Sequence, residues 1–179
     1  WRLTKRHKAK VCRDEVRYRY DCICPCGRAI KPNGEKMSYQ VLRVEKFLKS
    51  DLLKIGAETE RTAKHHRNED IDSERTPLNY YFKKSDGGLS AQWKKVVKDF
   101  GASFHETKKA IAFEGIIVTS DSAFFEKLGW IRGRPTPEAI KQFFCDCYAF
   151  VLREIGYHGG DENILSAAVH MDETTPHLQ

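Results

Sequence analysis

Ile164, Leu165, Ala167, Ala168 and Val169 form an apolar run that closes on His170 and Met171, the pattern of a buried strand. Asp172-Glu173-Thr174-Thr175-Pro176 is turn chemistry, and a second strand begins near His177. Successive side chains of a strand alternate faces, so His177 and Gln179 point the same way. If the two strands pair antiparallel, His170 stands opposite them, and Glu173 reaches in from the loop. One hairpin would then gather two imidazoles, a carboxylate and a carboxamide. That donor set suits manganese, magnesium or zinc better than copper. The plainer reading is a pair of surface histidines beside an ordinary polar loop.

The rest of the chain alternates strands and helices. Met37 to Val44 reads as a strand, and Ser50 to about Arg67 as a solvated helix weakened by Gly56. Leu78-Asn79-Tyr80-Tyr81-Phe82 is a short strand, and Asp86-Gly87-Gly88 a turn. Ser90 is the expected cap of a helix whose Trp93, Val96, Val97 and Phe100 fall on one face, with Gly101 as its stop. Ala110 to Thr119 is a buried strand, after which Asp121 caps a short helix carrying Phe124, Phe125 and Leu128. A loop with two arginines, Gly129 to Pro135, precedes a helix opened by Thr136 and Pro137 and stopped by Gly156. Cys145 and Cys147 lie two apart on that helix, where side chains do not face each other, so they read as free thiols.

Charge divides the chain. The formal charge is +6 over 179 residues, but residues 1–36 hold 11 Lys and Arg against 4 Asp and Glu, leaving 20 against 21 in residues 37–179. Any affinity of that part for nucleic acid must therefore come from local patches, such as Arg61, Lys64, Arg67 and Arg75, or Lys94, Lys95 and Lys98. Residues 1–36 lack apolar periodicity, and Cys22, Cys24 and Cys26 are spaced more tightly than zinc-ribbon pairs. We expect this stretch to be an N-terminal extension outside the fold, read in from upstream sequence, with the folded domain spanning 37–179. No segment approaches the roughly 18 apolar residues of a membrane span, and no secretory leader is visible. The expected compartment is the cytoplasm.

His170-Met-Asp-Glu-Thr-Thr-Pro-His177-Leu-Gln179 resembles the metal motif of the plasmid mobilisation and recombination relaxases (Mob/Pre family, MobV type). Gln179 stands where that motif ends in histidine. A second block, Asn68-Glu-Asp70-Ile-Asp72-Ser-Glu-Arg75-Thr76-Pro-Leu-Asn79-Tyr80, resembles the family's Asn-x-Asp-Ile-Asp signature, and Met37 to Lys46 resembles its opening strand. The resemblance implies an α+β fold of the HUH-relaxase kind, an antiparallel sheet flanked by helices with the histidines on central strands. It also implies a catalytic domain that continues beyond Gln179, so the chain reads as a truncated piece.

The implied activity is metal-assisted transesterification. A side chain attacks one DNA phosphodiester at a plasmid transfer origin, leaving a covalent 5′-phosphoryl link and a free 3′ hydroxyl. The implied metal ligands are His170, Glu173, His177 and Gln179, with Mn2+ or Mg2+ as the cofactor. In the family a catalytic histidine precedes an arginine that aligns with Arg61, which places Glu58 at the histidine's position. His66 and Tyr80 are the alternative nucleophiles, and carboxylates also form phosphoryl intermediates. Arg61 belongs to the basic patch. Arg75, Asn79 and Tyr80 suit phosphate contact, adenine readout and base stacking respectively, although Asp70 and Asp72 could instead pair with Arg75. A homodimer is expected for the full-length protein. The competing readings are a metal-dependent phosphoester hydrolase, with water as nucleophile, and a degenerate DNA-binding remnant that does not nick.

Overall fold

The apolar residues between 111 and 118 suit a sheet interior, and in the computed structural model they belong to its longest strand. The structure describes residues 15–16, 38–63, 65–66, 68–105, 107, 109–154 and 160–179. In chain order these form β1 (Glu15–Val16), β2 (Gln40–Leu48), α1 (Leu52–Thr59), β3 (Tyr80–Lys83), α2 (Leu89–Asp99), β4 (Ile111–Ser120), α3 (Ser122–Lys127), α4 (Glu138–Glu154), β5 (Ala167–His170) and β6 (His177–Leu178). The strands make one antiparallel sheet in the order β1-β2-β4-β6-β5-β3. The architecture is the α+β class that the resemblance implies.

Alternation along β5 divides two cores. Ala167 and Val169 join Val118, Phe125, Ile140 and Phe144 beneath α3 and α4, where the rings of Phe125 and Phe144 stack at 5.7 Å. On the other face, α1 and α2 cover the sheet through Leu52, Leu89 and Trp93, and Trp93 Nε1 donates to the Ala112 carbonyl at 2.9 Å. A strand covered on both faces has no solvent side, so all four residues of β5 are buried. This is why it reads as a nearly continuous apolar run.

Several boundaries depart from the sequence expectation, each for a tertiary reason. β2 continues four residues past Val44, because it pairs with β4 as far as Leu48 opposite Ile111. α1 stops at Thr59 rather than near Arg67, and Arg61 takes the left-handed region at φ 54°. Gly88, at φ 86°, caps α2 in place of Ser90, because the buried Leu89 is already its first residue. Asp121 does cap α3, its Oδ1 accepting from the Phe124 amide at 2.9 Å. Cys145 and Cys147 are free thiols. Glu15 and Val16 pair with Arg43 and Leu42 at the edge of the sheet. Cys22, Cys24, Cys26, Met37, Lys64, Arg67 and Gly156 lie outside the described residues.

Gly56, which weakens α1 by propensity, is explained by packing. A Cβ there would stand 3.0 Å from the Cβ of Leu89, so the glycine lets α1 and α2 approach. In an open helix Gly→Ala gains about 1 kcal/mol. Here the obstructing atom is fixed to the α2 backbone and cannot rotate aside. Gly56→Ala is therefore expected to lower the thermal midpoint, which calorimetry would check; a rise of several degrees would mean that propensity outweighs the contact.

Candidate metal centre

His170 ends β5 and His177 opens β6, and the two are register partners. Facing residues of an antiparallel pair share a side of the sheet, so both imidazoles lie on the α1 face with ring centroids 4.9 Å apart. Each ring is oriented by a carbonyl. His170 Nε2 is 3.1 Å from the Thr59 carbonyl, one of the acceptors that the end of α1 leaves without a helical donor. His177 Nδ1 is 3.3 Å from the Thr175 carbonyl. A carbonyl only accepts, so those nitrogens carry the protons. The lone pairs are left on His170 Nδ1 and His177 Nε2.

Both lone pairs face Glu173. Its Oε1 is 3.8 Å from His170 Nδ1 and 3.8 Å from His177 Nε2. One donor atom from each of the three residues lies within 4.8 Å of the others. His170 is fully buried, yet its Nδ1 has no hydrogen-bond partner. A buried, unpartnered nitrogen is costly unless something fills the position it faces. The residues fit a divalent cation: two oriented imidazoles and a carboxylate, each imidazole held by a carbonyl behind it. Burial above all lowers the His177 pKa against the opposing pull of Glu173, which favours the ring's neutral, ligating form.

Glu173 is held from behind as well. Arg61 Nη2 donates to Oε1 at 2.6 Å, and Asn68 Nδ2 to Oε2 at 2.9 Å. Burial would raise its pKa, but His170, His177 and Arg61 outweigh that and hold it at about 2. The same arginine makes a two-pronged pair with Asp172, Nε to Oδ2 and Nη2 to Oδ1, both at 2.9 Å. The Arg61 side chain is 5 % exposed and that of Asp172 0 %. Asp172 accepts further from Thr76 Oγ1 at 3.0 Å and Asn79 Nδ2 at 2.7 Å.

The Asn68–Tyr80 block therefore clamps the metal loop. Arg75, expected to bind phosphate, is buried, and its Nη2 donates to the carbonyls of Met171 and Glu173, both at 2.6 Å. Its nearest carboxylate contact is Asp72, at 3.9 Å. Asn79, expected to read a base, uses its amide nitrogen on Asp172 and its oxygen on the Met171 amide at 2.6 Å. Arg61, counted as part of a basic patch, is likewise committed inward. These donors match protein carbonyls and carboxylates as well as they match DNA. Sequence reasoning passes over Asp172 and Thr76 as site-forming residues; the signal for them is their position inside the two motif blocks.

Tyr80 lies elsewhere. It pairs with Val169 rather than His170, so its ring faces α4, with its hydroxyl enclosed and unpartnered. Burial pushes its pKa far up, with Cys145, Cys147 and Glu138 adding to the effect. An enclosed phenol on the opposite face of the sheet is separated from the imidazoles and from any strand bound there. Glu58 and His66 do come together: His66 Nδ1 is 3.1 Å from Glu58 Oε2. Glu58 immediately precedes Thr59, whose carbonyl orients His170. Gln179 exchanges both main-chain hydrogen bonds with Ala168 at 2.8 Å and stands two positions beyond His177, on the same side. Lys94, Lys95 and Lys98 are exposed on α2.

An imidazole-carboxylate cluster on the central strands of a helix-flanked antiparallel sheet defines a metal-site protein of the α+β class. The family model for plasmid recombination enzymes (Mob/Pre) matches residues 36–179, and the chain belongs to that family. It is similar to a plasmid recombination enzyme of Lactiplantibacillus plantarum, 35 % identical over 147 residues that cover 79 % of this chain and 37 % of that protein. One from Streptococcus agalactiae is 33 % identical, covering 79 % and 27 %. Among solved structures, it resembles the MobM relaxase domain bound to plasmid pMV158 oriT DNA in a manganese-bound crystal, with a TM-score of 0.62 and 30 % identity. That match covers 78 % of this chain and 67 % of the other. The chain thus spans about a third of the length of these curated relatives.

The Arg61–Asp172 pair sets an acid limit on stability. Burial opposes ionisation of Asp172, but Arg61, Asn79 and Thr76 overcome it and hold its pKa well below the usual carboxylate range. A carboxyl depressed on folding stabilises the fold above its unfolded value, near 3.9, and that stability is lost as pH falls through the folded value. The urea midpoint should therefore decline steadily below about pH 4. At pH 7, Asp172→Ala leaves buried Arg61 with Glu173 as its remaining carboxylate partner and should cost about 3 kcal/mol, the low end for breaking a buried pair. Unfolding curves check both; a flat acid limb with a near-neutral Asp172→Ala would show the pair to be dispensable.

Proposed function

We propose that this chain carries the catalytic site of a relaxase, which nicks one strand at a plasmid transfer origin by metal-assisted transesterification. The observation that supports it most is the unpartnered Nδ1 of buried His170, aimed with His177 Nε2 at Glu173. The ligand set is His170, Glu173, His177 and Gln179, with Mn2+ favoured by the two imidazoles and by the manganese-bound relative. When bound, the cation supplies Lewis-acid polarisation of a phosphate oxygen and offsets the charge that develops there.

The chain's own residues do the rest. Neutral imidazoles hold the cation without cancelling its charge, and Arg61 keeps Glu173 ionised and oriented. His66 is the attacking group we favour. Glu58 holds its Nδ1 proton, which leaves Nε2 free to attack phosphorus. The N–P bond forms as the bond to the 3′ oxygen breaks, and that oxygen leaves with a proton from water. Glu58 balances the charge that the ring acquires. The substrate is plasmid or mobile-element DNA and the compartment the cytoplasm; among the described residues no helix is long and apolar enough to cross a membrane.

Titration calorimetry should detect Mn2+ binding that His170→Ala and His177→Ala each abolish. Gln179→His should tighten it by about tenfold or more, the scale on which ligand-shell changes act. Unchanged affinity in all three would remove the metal assignment. After incubation with origin DNA and Mn2+, peptide mapping should find a nucleotide on His66. A nucleotide on Glu58 would transfer the role to the carboxylate, and turnover of a model phosphodiester with no adduct would replace the relaxase by a hydrolase.

A further inference from the structure

The fold uses up two of the cations that the sequence offered to DNA. Arg61 and Arg75 are buried in the clamp, and residues 37–179 hold 20 basic against 21 acidic side chains. Attraction for a polyanion must therefore come from exposed, uncommitted arginine and lysine. The turn between α3 and α4 meets that description. Its base is fixed: Trp130 is 7 % exposed, its amide donates to the Phe125 carbonyl at 2.9 Å, and its ring lies edge-on to Phe125. Its tip closes with the Arg134 amide donating to the Ile131 carbonyl at 3.0 Å, and Gly133 at φ 77°.

What the tip presents is unusual for a solvated turn. Ile131 is 61 % exposed, and both arginines beside it, Arg132 and Arg134, are exposed. Among the described residues, no carboxylate pairs with either guanidinium. The space beside Gly133 is open, with nothing within 4 Å of where a Cβ would stand. The helix that leads into the turn, α3, starts beside the metal loop, with Ser122 Oγ 3.4 Å from Thr175 Oγ1.

We propose that the Trp130–Arg134 turn is a second contact for the DNA strand, in which Ile131 packs against an unstacked base while Arg132 and Arg134 hold flanking phosphates. This rests on the relaxase reading above. Its physical logic is an apolar wedge between two cations, which suits a polymer that alternates apolar faces with phosphates. The rigid base keeps the wedge aimed at its target, so little ordering is required on binding.

The test uses a mixed-sequence 20-nucleotide single strand in EDTA, with binding followed by fluorescence anisotropy across a salt series. Arg132→Gln with Arg134→Gln should weaken binding and flatten the slope of log K against log salt by about 0.7 for each phosphate no longer neutralised. Ile131→Ser should weaken binding about tenfold with the slope unchanged. Lys94→Gln with Lys95→Gln removes the same charge elsewhere and should do markedly less. Circular dichroism checks that each variant stays folded. If the turn variants bind as wild type does, or weaken no more than the α2 pair, the turn proposal fails while the relaxase reading stands. If wild type binds no DNA in this assay, both fail together.

Discussion

The buried pair between Arg61 and Asp172 is the interaction on which the rest of the site depends. It joins residues 111 positions apart in sequence and fixes three things together. It ends α1, because the chain must enter the left-handed region at Arg61 to turn the guanidinium inward. It places the Thr59 carbonyl against His170. Through Nη2 it holds the Glu173 carboxylate where the two imidazoles face it. Ions this deeply buried are tolerated only with full hydrogen bonding, and Thr76 and Asn79 complete the shell around Asp172.

Around that pair the polar residues divide by depth rather than by type. Donors that look suited to nucleic acid when read one at a time (Arg61, Arg75, Asn79) bond instead to the loop from Met171 to Glu173. The result is rigidity where geometry matters, because a ligand set is only as precise as the residues behind it. The arginines and lysines that stay exposed include those of the turn between α3 and α4 and of the outer face of α2.

Much of this is legible in the order of the amino acids. The buried strand, the turn and the second strand follow from apolar runs and turn residues, and strand parity puts both histidines on one side. Gly101, at φ 60°, follows the end of α2 as its position implies, and Asp121 caps α3. The limits are equally physical. β2 outruns its expected end because a partner strand is present to pair with it. Ser90 loses the cap of α2 because Leu89 has a core to fill. Tyr80 is one of the nucleophiles that the sequence offers, yet it faces α4 because its register partner is Val169. Gly56 looks like a flaw in α1 until the approach of Leu89 explains it.

The sequence by itself determined the pieces whose physics is local: strand periodicity, turn composition, and the convergence of two imidazoles and a carboxylate on one hairpin. Tertiary structure alone decided which nitrogen of each histidine keeps its lone pair, which arginines are consumed, and which tyrosine is enclosed. A side chain's chemistry is encoded at its own position. Its partner is chosen by segments a hundred residues away, and only packing brings them within hydrogen-bond reach.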